Sequence, residues 1–133
     1  MAKKVFVSYH SAQEDTRHKN LLVAWSSNEN GFFDIKFDDT SVGVSINSDN
    51  ANYIKSVIKG EISESQVFLC LVGQDTHNSD WVKWEIDKAV ELGKKIVAVK
   101  IKSTYQSPTN LYSVGATWAL SFTYDSIKEA LNS

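Results

Sequence analysis

Residues 66–101 read QVFLCLVGQDTHNSDWVKWEIDKAVELGKKIVAVKI, and this stretch decides the fold. It opens with a nearly unbroken apolar run at 66–72, crosses a polar loop and enters a helical pattern over 80–92. A second apolar run follows at 95–101. Val82, Ile86, Ala89, Val90 and Gly93 fall on one helical face, and Gly93 is also the stop signal. Apolar runs without alternation suit strands buried on both faces, as in a parallel sheet with helices on either side.

The pattern extends in both directions. Further strand-like runs stand at 4–9 (KVFVSY), 33–38 (FDIKFD) and 119–124 (ALSFTY). The run at 33–38 alternates more and suits a position nearer an edge. Helical spacing over 15–27 aligns Leu21, Leu22 and Trp25, with Gly31 after Asn30 as a stop. Over 50–64 it aligns Ile54, Val57, Ile58 and Ile62, with Ser48 or Asp49 as a candidate cap. A last helix starts near Asp125, where Ser126 and Glu129 have capping-box spacing. Residues 103–110 hold the only proline, Pro108, and read as a surface loop. Residues 111–118 carry no clear pattern. Alternating strands and helices predict an α/β protein: a three-layer, flavodoxin-like fold with helices on both faces. Its five-stranded parallel sheet takes the order 2-1-3-4-5, in a single domain over 1–133.

The 133 residues are 42% apolar, enough for one core. Fourteen basic residues against sixteen acidic ones give a net charge of −2, which excludes a strongly basic nucleic-acid footprint. Arg17 is the only arginine, which also argues against an Arg-rich phosphate clamp. One cysteine, Cys70, rules out an internal disulfide framework and favours a reducing compartment. No apolar stretch approaches the roughly 20 residues of a membrane span. These features point to a soluble, cytoplasmic protein.

In the order 2-1-3-4-5, ligands bind beyond the carboxyl ends of strands one and three. That places Ser8, Tyr9 and His10 beside the loop 73–81. Glu85 lies about 80° from the centre of its helix's apolar stripe, with Trp81 one turn earlier on the same flank. A carboxylate at the border of the core, beside an indole, can stabilise a developing cation or hold sugar hydroxyls. The same position also suits an ordinary helix-surface glutamate. His10 suits substrate contact or a strand-end cap. Ser8 suits a ribose or phosphate hydrogen bond, or a local backbone one. His77 reads as an exposed loop residue and Cys70 as a buried small hydrophobe. Trp84 lies nearly opposite the apolar stripe, which suggests either a contact surface or an indole lying on a neighbouring loop. The three histidines and Cys70 lack metal-ligand spacing, so no metal is expected. GxGxxG and P-loop motifs are absent from the sequence.

VFVSYH near the start and WVKWEI before the helix resemble a TIR domain. The second segment is similar to that family's W-C-x-x-E-L pattern, with Trp81, Glu85 and Ile86 in place and Val82 replacing the cysteine. FDDTS and the stretch from Leu71 to Ile101 resemble, more narrowly, the bacterial TIR-like proteins of the Thoeris anti-phage system. The resemblance covers roughly residues 3 to 102. It implies an enzyme that cleaves the nicotinamide–ribose bond of NAD, with Glu85 catalytic. It also implies a cyclic or otherwise modified ADP-ribose signal, read by a separate effector. NAD would be substrate, not cofactor, and no other cofactor is expected. Ser8, Tyr9, His10, Trp81, Asp39 and Ser41 are the implied substrate-binding residues. Asp39 and Ser41 match the family's D-x-S and are also ordinary turn residues. Tyr9 or Trp81 would face the nicotinamide ring, and closure of the loop 39–49 would exclude water.

Receiver domains and flavin carriers share the sheet order but need acidic residues, or a phosphate loop, where Tyr9 and His10 stand. A nucleoside deoxyribosyltransferase-like enzyme is a minor catalytic alternative. The rival of a different class is a non-catalytic TIR-like adaptor acting by homotypic assembly. The two separate on whether NAD survives incubation with the protein.

Overall fold

The structure is a computed structural model that describes residues 3–10, 13–26, 35–38 and 51–132. Its elements are β1 (Lys3–Ser8), α1 (Gln13–Ser26), β2 (Ile35–Asp38), α2 (Ala51–Glu64) and β3 (Val67–Val72). They continue with α3 (Asp80–Glu91), β4 (Lys95–Lys100), β5 (Thr117–Ala119) and α4 (Tyr124–Asn132). The strands form one parallel sheet, in the order β2-β1-β3-β4-β5.

Side chains that alternate along each strand feed two separate cores. Val5 and Val7 of β1, with Val67, Leu69 and Leu71 of β3, pack against Leu22 of α1 and Ile127, Ala130 and Leu131 of α4. Phe6, Phe68, Cys70 and Val72 point the other way, onto Ile58 and Ile62 of α2 and Val82, Ile86 and Ala89 of α3. The central strand β3 is buried at every position, as its unbroken apolar run requires.

Helix α3 has both ends fixed locally. Ser79 Oγ accepts from Val82 N at 3.2 Å, an N-cap. At the other end Gly93 has φ 71°, its N–H reaches Val90 O and Lys94 N reaches Ala89 O, which together form a Schellman cap.

Several expectations need correction. The last strand is Thr117–Ala119, not 119–124. Leu120 is exposed, and Phe122 leaves the sheet to pack on His18 and Trp25 of α1. Helix α4 begins one turn before the expected capping box, because Thr123 Oγ1 accepts from Ser126 N at 3.2 Å. On α3, Val90 is exposed, while Val82, Glu85, Ile86 and Ala89 form the buried stripe. The helix is therefore rotated to bring Glu85 inward. The expected stop at Gly31, the caps Ser48 and Asp49, and the loop 39–49 lie outside the described residues.

Trp84 does not point outward. It is half-buried against the α2/α3 core, edge-to-face with Trp81 at 6.0 Å, with Lys55 of α2 5.7 Å from its ring centre. Trp84→Ala is expected to destabilise the fold by about 2 kcal/mol, below the roughly 3–5 kcal/mol of a fully buried aromatic. Chemical melts check this; an unchanged midpoint would return the indole to the surface role.

Candidate active site

The site follows from the period-2 alternation of β1. Ser8 follows Phe6 on the α2/α3 side of the sheet, in register with Cys70 of β3. Glu85, in the second turn of α3, comes down over the same spot. Ser8 Oγ donates to Glu85 Oε1 at 2.7 Å. Both residues are nearly sealed from solvent, at 1% and 4% exposure, at the carboxyl end of the sheet. Strand order reverses between β1 and β3, so this is the topological switch point.

Burial dominates the electrostatics of Glu85. Desolvation pushes its pKa up to about 8, the Ser8 hydrogen bond pulls it down, and Glu61 of α2 adds a further upward push. A carboxyl in this environment keeps its proton until a positive charge arrives to hold the anion. Cys70 lies beneath; burial and the nearby carboxyls of Glu85 and Asp15 push its thiol pKa up, which leaves it inert.

The other expected site residues divide. Trp81 is half-buried on the Glu85 side of the sheet, one turn before it. Tyr9 is carried to the opposite side, where it packs with the α1/α4 core and has Lys19 Nζ 5.9 Å from its ring centre. It therefore does not share the face on which Glu85 stands. His10 is half-buried just past β1, where its charge acts on Asp15 of α1. Asp39 and Ser41 lie outside the described residues. His77 is half-buried, not exposed, with Nδ1 shielded from solvent and without a hydrogen-bond partner among the described residues. Among the described residues no cluster of His, Cys, Asp or Glu could hold a metal ion.

Two buried polar residues outside the Glu85–Ser8 pair stand at the end of β3. Asp15 is 2% exposed and Thr76 fully buried, and their side chains meet at 3.3 Å at the end of β3. The signal was present: Asp15, His18, Leu22 and Trp25 recur at helical spacing, so Asp15 sits on the buried stripe of α1.

The structure is thus a doubly wound α/β fold with a buried glutamate at its switch point, just after a tryptophan on the same helix. Residues 6–106, more than half of the chain, match the family model described as "Thoeris protein ThsB, TIR-like domain", and the chain belongs to that family. A Bacillus cereus (strain MSX-D12) protein named "Putative cyclic ADP-D-ribose synthase ThsB1" is 32% identical over 120 residues. That match covers 86% of this chain and 60% of the relative, so the chain spans about three fifths of the relative's length. Among solved structures, the Clostridium botulinum CMP N-glycosidase BcmB shares the fold with a TM-score of 0.61 at 16% identity, covering 98% of this chain and all of that one. The TIR domains of the activated Roq1 resistosome, which recognises the pathogen effector XopQ, align with a TM-score of 0.53 at 16% identity. They cover 77% of this chain and 61% of that one. Among the described residues no helix is long and apolar enough to cross a membrane.

Proposed function

We propose that this protein cleaves the nicotinamide–ribose bond of NAD and turns the ADP-ribose part into a cyclic or otherwise modified signalling nucleotide. A separate effector in anti-phage defence would read that signal, in the cytoplasm. The observation that carries the reading is the buried Glu85–Ser8 pair at the switch point of a ThsB-family chain. The name of the Bacillus cereus relative supports the same product class.

The chemistry follows from the charge. NAD brings a pyridinium cation, and a cation beside a desolvated carboxyl favours its ionised form. Glu85 then gives up its proton to water, and the carboxylate stands where positive charge develops. The bond between the ribose carbon and the nicotinamide nitrogen breaks, and its electron pair leaves with neutral nicotinamide. The oxocarbenium-like carbon that remains is held by the Glu85 carboxylate, in a site of low dielectric where such a contact is strong. Trp81 offers an aromatic face on the same side of the sheet, and Ser8 fixes the carboxylate. Attack by a group of the same ADP-ribose closes a ring; attack by water gives free ADP-ribose. His10, Asp39 and Ser41 complete the substrate-binding set in this reading.

The test is mass spectrometry of NAD incubated with purified protein, alone and with lysate from infected cells. Free nicotinamide with a product isomeric with, or conjugated to, ADP-ribose is the expected result. NAD left intact in both arms would sink the enzymatic reading and favour an adaptor acting by assembly.

A further inference from the structure

The second buried carboxyl, Asp15, has no part in the proposed bond cleavage, yet it occupies the end of β3. Thr76 Oγ1 stands at the centre of its contacts. It accepts from Gly73 N at 2.7 Å and lies 3.3 Å from Asp15 Oδ2 and 3.4 Å from Leu71 O. A threonine hydroxyl carries one hydrogen and two acceptor sites. With an ionised Asp15, that hydrogen must choose between two acceptors, and one contact is left unmade in a buried place. With a proton on Asp15, the carboxyl donates to Thr76, Thr76 donates to Leu71 O, and all three contacts are hydrogen bonds. The fit leaves no slack: a Cβ on Gly73 would fall within the Asp15 carboxyl group.

We propose that Asp15 acts as a neutral hydrogen-bond donor to Thr76 and thereby positions the turn between β3 and α3, and with it Glu85. The segment concerned is short. Thr76 opens a 3-10 turn over Thr76–Asn78, the next residue is the α3 N-cap Ser79, and Glu85 lies in the second turn of the helix. Displacing Thr76 therefore displaces the start of α3 against Ser8 on β1. Asp15 is a positioning residue, acting through the turn.

The groups facing Asp15 pull both ways. Burial, the largest influence, raises its pKa above the usual carboxylate value; the Thr76 hydrogen bond lowers it, as do His10 past β1 and His18 on α1, while Glu14 on α1 raises it. Cys70 on β3 is a neutral neighbour. Glu14 is itself engaged, accepting from Tyr105 Oη at 2.9 Å, and Lys102 lies over the Tyr105 ring.

The effect on catalysis rests on the proposed cleavage of NAD; the structural readout does not. Carboxyl-labelled NMR titration of Glu85 is compared in the parent, Asp15→Asn, Asp15→Ala, Thr76→Ser and Thr76→Val proteins. Asn and Ser preserve the donor and the hydroxyl, so both are expected to hold the Glu85 midpoint and to keep nicotinamide release within about 3-fold of the parent. Ala and Val break the chain. They should move the Glu85 midpoint towards the ordinary carboxylate range and cut kcat about 10-fold or more, with KM little changed. If Ala and Val fail to fold, Asp15→Asn decides alone: it should match the parent in acid and exceed its stability as pH rises. Asp15→Asn that behaves like Asp15→Ala, or is less stable than the parent at every pH, would overturn the proposal, since a negative charge would then be the essential feature. So would an unmoved Glu85 midpoint in a folded Asp15→Ala protein. A parent that releases no nicotinamide while its variants shift the Glu85 titration as expected would sink the NAD reading and leave the positioning role standing.

Discussion

Glu85→Gln should lower nicotinamide release by about 100-fold or more while leaving NAD affinity within a few-fold of the parent. Gln is nearly isosteric, suits a helix almost as well, and its amide oxygen still accepts from Ser8 Oγ. What disappears is the ability to become an anion beside a forming cation. The loss therefore falls on the chemical step. A second signature separates this role from a merely structural one. In the parent, kcat/KM reports the free protein, whose Glu85 titrates at about 8. The rate should rise with pH and level off above that value. The residual activity of Glu85→Gln should lack that rise. Three measurements on the pair are needed: melting temperature, NAD affinity and nicotinamide release against pH. A folded Glu85→Gln protein with the parent's rate and pH profile would remove Glu85 from the mechanism and turn attention to His10.

The elements that were legible in the sequence are those whose burial leaves one pattern. β1, β3 and β4 are covered on both faces, so their apolar runs have no competing reading. β5 is three residues long, and the apolar residues after it serve other partners: Leu120 is exposed and Phe122 packs on α1. A short edge strand beside an unrelated hydrophobic contact cannot be separated from it by periodicity. Glu85 was legible as a residue at the border of its helix's apolar face. Its depth was not, because depth depends on the neighbouring helix. α2 covers the flank of α3 that carries Trp84, and this rotates Glu85 inward and leaves Val90 exposed. One helical wheel contains no information about that partner. Tyr9 is different, because strand alternation alone separates it from Ser8 and sends it to the α1/α4 side. Asp15 is ambiguous in the sequence for the opposite reason. A charged residue in a first helical turn normally reads as a favourable dipole partner, and here it is also buried on the helix's inward stripe.

The same Glu85→Gln substitution should raise stability as strongly as it lowers activity, and the sign depends on pH. Glu85 titrates near 4.5 in an unfolded chain and at about 8 in the fold. Between those values the folded protein holds a proton that the unfolded chain has released, so stability falls as pH rises through that window. The contribution is fully present below about 4.5, is lost progressively up to about 8, and changes no further beyond. Gln does not titrate. The two proteins should therefore match near pH 4 and diverge above it, with the Gln variant the more stable. Each pH unit of the window is worth about 1.4 kcal/mol, so the gap reaches a few kcal/mol against the roughly 5–15 kcal/mol that hold a domain together. Asp15 tilts both proteins in the same direction and cancels in the difference. Urea melts of the pair from pH 4 to 9 measure the gap directly. Parallel stability curves across that range would mean that Glu85 is ionised in the fold and held by a partner, contrary to its burial. Divergence with the Gln variant on top would show that the fold bears a cost to keep this carboxyl inside. Such a cost is expected where a group is retained for its chemistry and not for its packing.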